Sequence, residues 1–140
     1  MAARDTFHDA CVQSLIKDDW TITNDPLTIA VGKVNLLIDI GAERVLAAER
    51  DGVRIAVEIK SFIGLSSVQD LKEDAGQFLI YEIALRQSRA DSDRVLYLAI
   101  RASTYNAVFK SDIGALLVAS RAIRLMVFDD EAQEVREWIN

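Results

Sequence analysis

Hydrophobic and polar positions along the chain alternate between two periods, and the switches mark the elements. In "RDTFHDACVQSLIKDDW", Phe7, Cys11 and Leu15 recur at helical spacing, with Asp5 placed as an N-cap or first-turn acid. Short β-type runs follow: "WTIT", "LTIAV" and "VNLLIDI", the first two parted by the turn "NDPL" and the last two by Gly32. "ERVLAAER" and "VRIAVEIK" flank Asp51–Gly52, a dipeptide that favours a two-residue hairpin turn. From Ser66 or Ser67 the pattern is helical through "SSVQDLKEDAGQFLIYEIALRQ", with Ser67 and Asp70 at capping-box spacing. A strand "RVLYLAI", one helix "TYNAVFKSDIGALLVAS", a strand "IRLMVF", a turn "DDEA" and a last strand "QEVREWI" complete the chain. The order α, several β, α, β, α, β, β predicts an α/β (α+β) fold, a mixed sheet flanked by helices, with residues 1–140 as a single domain.

Composition narrows the classes. At 140 residues, 51% hydrophobic and 27% charged, the chain buries a core and is not disordered. No apolar run nears the roughly 20 residues that cross a bilayer. "MAARDTFHDA" carries no secretory pattern, so a cytoplasmic location is expected. A single cysteine, Cys11, excludes an internal disulfide. The net charge of −6 opposes long-range attraction to phosphates, so DNA binding by the chain alone is expected to be weak. Bound metal ions or a basic partner would offset that charge. Homo-oligomerisation through a sheet edge or a helix is also open.

The hairpin carries the candidate chemistry. With Asp51–Gly52 as a two-residue turn, facing positions sum to 103, and Leu46, Ala48, Val53, Ile55, Val57 and Ile59 share a core face. The other face holds Glu43, Val45, Ala47 and Glu49 against Arg54, Ala56, Glu58 and Lys60. Glu43 then lies across from Lys60, with Glu58 one step along. Two carboxylates hold Mg²⁺ through a few oxygens, waters completing the shell, and a neighbouring lysine orients water or stabilises developing negative charge. Such a group hydrolyses phosphodiesters, whereas Glu-x-Lys on an exposed strand is otherwise an ordinary cross-strand ion pair worth under about 1 kcal/mol. Asp39 competes with Glu43 for the first metal position if "DIGAE" bulges at Gly41.

An acid about fifteen residues before "EIK", spanning a hairpin after a helix, resembles the PD-(D/E)xK nuclease superfamily. "GQFLIYEIAL" places Gln77 and Tyr81 four apart on one helix face and looks like the Q-x-x-x-Y motif of the RecB-like branch. The whole chain is similar to the XisH family, fdxN element excision controlling factors, through "DTFHDACVQSLIKDDWTITNDPLTI", "DIGAERVLAAERDGVRIAVEIKSFIG", "GQFLIYEIAL", "RVLYLAI" and "LMVFDDEAQEVREW". The resemblance implies a restriction-endonuclease-like fold, a role in programmed excision of a DNA element in cyanobacteria, and action beside a XisI-type protein partner. It also implies an endonuclease-like site with Glu43 and Glu58 as ligands of Mg²⁺ or Mn²⁺, Lys60 positioning water, and Gln77 and Tyr81 lining the site. Two features depart from the pattern. No "PD" dipeptide precedes the acid, Glu43 following Ala42, and Asp9 stands where the superfamily's first helix normally carries Glu. These departures bear on cleavage more than on fold, and leave a non-catalytic interaction protein on a nuclease scaffold as the alternative.

Other residues have plainer readings. His8 falls within the apolar arc of the first helix and reads as a partly buried, hydrogen-bonded histidine. Asp9 lies nearer that arc's edge as a further candidate ligand. Cys11 reads as core, Trp20 and Trp138 as packing residues at strand ends, and Gly76 as a mid-helix glycine allowing close approach.

Overall fold

The computed structural model describes residues 7–44, 52–63 and 66–140. Helix α1 (His8–Lys17) leads into β1 (Thr21–Asn24), β2 (Leu27–Val31), β3 (Val34–Ile38), β4 (Ile40–Arg44) and β5 (Val53–Ile59). The long helix α2 (Ser67–Gln87), β6 (Val95–Arg101), a helical turn α3 (Ala102–Thr104), a π-helical turn (Tyr105–Phe109), α4 (Asp112–Ser120), β7 (Leu125–Asp129) and β8 (Glu134–Ile139) follow. Six strands form one mixed sheet in the order β1-β4-β5-β6-β7-β8, while β2 and β3 form a separate hairpin. The β5–β6 and β6–β7 pairs are parallel, each joined through helices, and the outer pairs are antiparallel.

Strand β5 is central because its residues Ile55 to Ile59 are all buried, with strands on either side and helices above and below. Alternation divides it between two cores. Ile55, Val57 and Ile59 join Ile40, Ala42, Cys11 and Leu15 on the α1 face. Ala56 joins Leu71, Phe78 and Leu85 of α2, with Leu27, Ile29 and Ile38 of the hairpin, on the other. Each such aliphatic or aromatic side chain, fully buried, contributes roughly 1.5–3 kcal/mol. Trp20, Tyr97 and Trp138 meet tilted or edge-to-face in the α1-side core, with ring centroids 5.7 Å apart for Trp20–Trp138 and 4.8 Å for Tyr97–Trp138.

A buried arginine fastens the far end of the sheet. Arg94, only 2% exposed, donates from Nε to Asp91 at 2.7 Å, from Nη1 to the Ile55 carbonyl at 2.9 Å, and from Nη2 to Asn24 Oδ1 at 3.1 Å. Gly41 leaves it room, since a Cβ there would lie 2.9 Å from Asn24 Oδ1 and 3.2 Å from Arg94 Nη1.

Three local expectations are corrected. The pairing of β4 with β5 is Ile40↔Val57, Ala42↔Ile55 and Glu43↔Arg54, so facing residues sum to 97 and not to 103. The connection is therefore longer than Asp51–Gly52, and the positions expected to form the turn-proximal strand, 45–50, lie outside the described residues, as does Asp51. The helix expected over residues 104–120 is broken at Lys110–Ser111, where a π-helical turn ends and α4 restarts with Asp112 at φ 55. Gly114 permits that packing, because a Cβ would fall 1.9 Å from the Val108 carbonyl oxygen. Finally, Ser66 and not Ser67 caps α2, its side chain accepting from the Gln69 N–H at 3.2 Å.

Candidate active site

The polar face of β5 ends in Glu58 and Lys60, and the register decides what meets them. Glu43 faces Arg54, four residues along the strand from Glu58, a separation of about 13 Å at ordinary strand rise. The expected contact of Glu43 with Lys60 is thus not formed. The face assignment holds, because both registers have the same parity, but the acid that arrives opposite Glu58 is Asp39. Arg54 turns instead to the loop after α2, donating to the Ala90 carbonyl at 2.8 Å and to Asp93 at 2.5 Å.

Asp39 and Glu58 lock each other through backbone donors. The Asp39 N–H donates to Glu58 Oε1 at 3.0 Å, and the Ile59 N–H donates to Asp39 Oδ2 at 2.8 Å. One oxygen of each carboxyl is so fixed, leaving Asp39 Oδ1 and Glu58 Oε2 for other partners. Glu58 is buried, and burial first, then the charge of Asp39, pushes its pKa up from 4.5 to about 8, Lys60 opposing the shift. Near neutral pH Glu58 therefore sits mainly as the neutral acid beside Asp39.

Lys60 Nζ lies 3.6 Å from Glu58 Oε2 and 3.6 Å from Asp74 Oδ1, between two acids. Burial is also the largest cause raising the Asp74 pKa to about 6, against the pull of Lys60. Asp74 carries no motif of its own, although it stands three and seven residues before Gln77 and Tyr81 and so shares their helix face. Lys60, Asp70 and Asp74 line a polar recess of about 310 Å³ together with Ser61, Phe62 and Ile63. Gln77 Nε2 donates to Tyr81 OH at 3.0 Å. Burial, and then the charge of Glu58, raise the Tyr81 pKa. Gln77 Oε1 is buried and has no partner among the described residues. Thus Asp39, Glu58, Lys60, Asp74, Gln77 and Tyr81 gather at one end of the sheet, and Glu43 does not.

Asp9 is exposed on α1, which packs on the opposite face of the sheet from α2. His8, the sole histidine, is buried with Nε2 2.8 Å from Asp25 Oδ1 and tethers α1 to the turn after β1. Among the described residues no three His, Cys, Asp or Glu side chains gather as a metal cage. Asp39 and Glu58 nevertheless fit a hydrated divalent cation: the two carboxyls meet where near neutral pH a proton offsets their charge, and each commits one oxygen to a backbone N–H, the second oxygen of Glu58 lying 3.6 Å from Lys60 Nζ.

A six-stranded mixed sheet between helices, with acids and a lysine at the end of its central strand, is a restriction-endonuclease-like architecture. The family model of the XisH protein matches residues 1–136, and the chain belongs to the XisH family. Two crystal structures agree. An XisH family protein from Nostoc punctiforme is 41% identical with a TM-score of 0.84, covering 97% of this chain and 100% of its own. An fdxN element excision controlling factor protein from Anabaena variabilis is 43% identical with a TM-score of 0.81, covering 98% of this chain and 100% of its own. No curated protein matches the sequence. No helix among the described residues is long and apolar enough to cross a membrane.

Proposed function

We propose that this protein is a metal-dependent, PD-(D/E)xK-type endodeoxyribonuclease acting in the excision of a DNA element, with Asp39 in the place first expected of Glu43. The observation that carries the reading is the Asp39–Glu58 pair, held by reciprocal backbone hydrogen bonds with Lys60 3.6 Å away. Asp39 and Glu58 would hold Mg²⁺ or Mn²⁺, which when bound supplies Lewis-acid charge at the phosphodiester and acidifies water. Lys60, steadied by Asp74, sets a positive charge where an attacking water is oriented and the phosphate's growing negative charge is offset. Tyr81 and Gln77 form the wall on the α2 side, where the uncommitted Gln77 Oε1 accepts a hydrogen bond from a bound group. The net charge of −6 supports a grip on DNA supplied by a partner, for which a XisI-type protein is the candidate.

The test is nicking of supercoiled DNA in Mg²⁺ or Mn²⁺, with and without the XisI-type partner. The wild-type protein is expected to nick, Lys60→Ala and Asp39→Asn to lose activity at least about a hundredfold, and Glu43→Gln to retain it. A second reading, a regulatory scaffold without catalysis, is favoured by the absence of a third ligating side chain among the described residues. It is the conclusion if no metal, with or without partner, yields nicking.

A further inference from the structure

Both tryptophans of the chain line one cavity that the proposed chemistry does not use. It holds about 270 Å³ among Trp20, Arg44, Val53, Tyr97, Trp138 and Asn140, and it reaches the surface where Val53 and Asn140 are exposed. Ile55, also on its lining, belongs to the α1-side core near the start of β5, whereas Glu58 stands near the end of that strand on the other face. Cavity and candidate active site are therefore separate. The cavity walls are rings, and one carboxylate fixes them. Asp18 Oδ2 accepts from Trp20 Nε1 at 3.2 Å, from Trp138 Nε1 at 3.3 Å and from Arg44 Nη2 at 2.9 Å. The Arg44 guanidinium lies over the Trp20 ring, its Cζ 4.4 Å from the centroid. The Tyr97 hydroxyl donates to Asn140 Oδ1 at 2.6 Å.

The polar groups of the lining indicate the ligand. Both indole N–H groups, the Tyr97 hydroxyl proton and Asn140 Oδ1 are spent within the protein. What is left over donates. Arg44, its Nη2 bound to Asp18, keeps Nη1, and its buried Nε has no acceptor among the described residues. Asn140, its oxygen taken by Tyr97, keeps its N–H₂. Asp18 balances the charge of Arg44, so the cavity does not select an anion. Aromatic walls, spare donors and a balanced charge fit a neutral planar ring that bears carbonyl acceptors, which is the chemistry of a nucleobase. The volume is at the small end of the range for ligand pockets and suits one ring system. We infer that this cavity is a nucleobase-binding site, the ring packing against Trp20, Tyr97 and Trp138 while its carbonyls accept from Arg44 and Asn140. A free nucleoside and an unpaired base of a DNA strand offer the same ring. The inference does not rest on the proposed cleavage.

Because the chain has two tryptophans and both line the cavity, tryptophan fluorescence reports occupancy directly. Thymidine, added to the full chain in chelator, is expected to quench it saturably with a dissociation constant on the order of 1 mM. Single-stranded oligo(dT) and a duplex of matched sequence identify the source. Saturation by the single strand and not by the duplex assigns an unpaired base of DNA; saturation by thymidine alone assigns a free nucleoside. Val53→Phe fills the cavity from its exposed rim, and Asn140→Ala removes a donor. Both are expected to keep the wild-type circular dichroism spectrum while raising the dissociation constant at least about tenfold and about threefold, respectively. Absence of saturable quenching by oligo(dT) and by thymidine up to about 10 mM overturns the inference, and so does a dissociation constant unchanged in either folded variant. Quenching by the duplex equal to that by the single strand also overturns it. The chelator keeps each result independent of the metal-dependent cleavage reading.

Discussion

Replacing Glu58 by glutamine is expected to stabilise the protein at neutral and alkaline pH, an unusual direction for a polar substitution at a site 7% exposed. Burial and the neighbouring Asp39 raise the Glu58 pKa from 4.5 to about 8. Below about pH 4.5 folded and unfolded chains both hold the proton, and no cost arises. As pH climbs from there, the unfolded state releases its proton while the folded state keeps it, so stability falls by about 1.4 kcal/mol per pH unit until about pH 8. The loss comes to about 3 kcal/mol at pH 7 and about 5 kcal/mol well above pH 8. Glutamine does not titrate, keeps an oxygen for the Asp39 N–H, and gives up the 3.6 Å approach of Lys60, which retains Asp74. A net gain of about 2 kcal/mol at pH 7 follows, or roughly a 1 M rise in the urea midpoint. Urea unfolding followed by circular dichroism in chelator, from about pH 5 to about pH 9, measures it. A midpoint difference constant over that range, or a variant weaker than wild type at pH 8, refutes the reasoning. Millimolar Mg²⁺ should narrow the gap by stabilising wild type and leaving the variant unmoved.

Other substitutions probe the frame. Gly114→Ala is expected to lower stability by at least about 2 kcal/mol in thermal or urea melts, because the new Cβ meets the backbone oxygen of Val108. Arg94→Leu takes the 2.7 Å donor from buried Asp91, leaving it the longer 3.4 Å contacts of Arg54 and Ser88, removes the 2.9 Å donor to the Ile55 carbonyl, and should cost about 3–5 kcal/mol by the same measurement. Gly41→Ala crowds Asn24 Oδ1 and Arg94 Nη1, side-chain atoms that give way, and should cost only about 1–2 kcal/mol.

Much of this architecture was written in local pattern. The order of elements and the polar face of β5 follow from period-two alternation, which survives any even change of register. For that reason Glu58 and Lys60 were placed on the correct face even though their partner was not Glu43. Register itself depends on loop length, and Asp51–Gly52 carried a strong turn signal inside what is a longer connection. Asp39 needs no bulge at Gly41 to reach the site: it arrives by simple pairing once facing residues sum to 97. The break between Phe109 and Asp112 escaped because no proline or glycine marks it, and the nearby Gly114 acts through packing against Val108. Asp74 shares a helix face with Gln77 and Tyr81 and was legible from spacing alone, but its value depends on Lys60, whose reach the sequence does not display.

Asp39 lies between two pieces of architecture, one residue after the β2–β3 hairpin ends at Ile38 and one before β4 begins at Ile40. Its amide belongs to neither ladder and so is available to Glu58. Length can therefore vary freely at the hairpin tip, around Gly32, without the carboxyl pair registering it. One residue added beside Asp39 would swing its side chain through the sheet to the α1 face, dismantling the pair while every strand stayed in place.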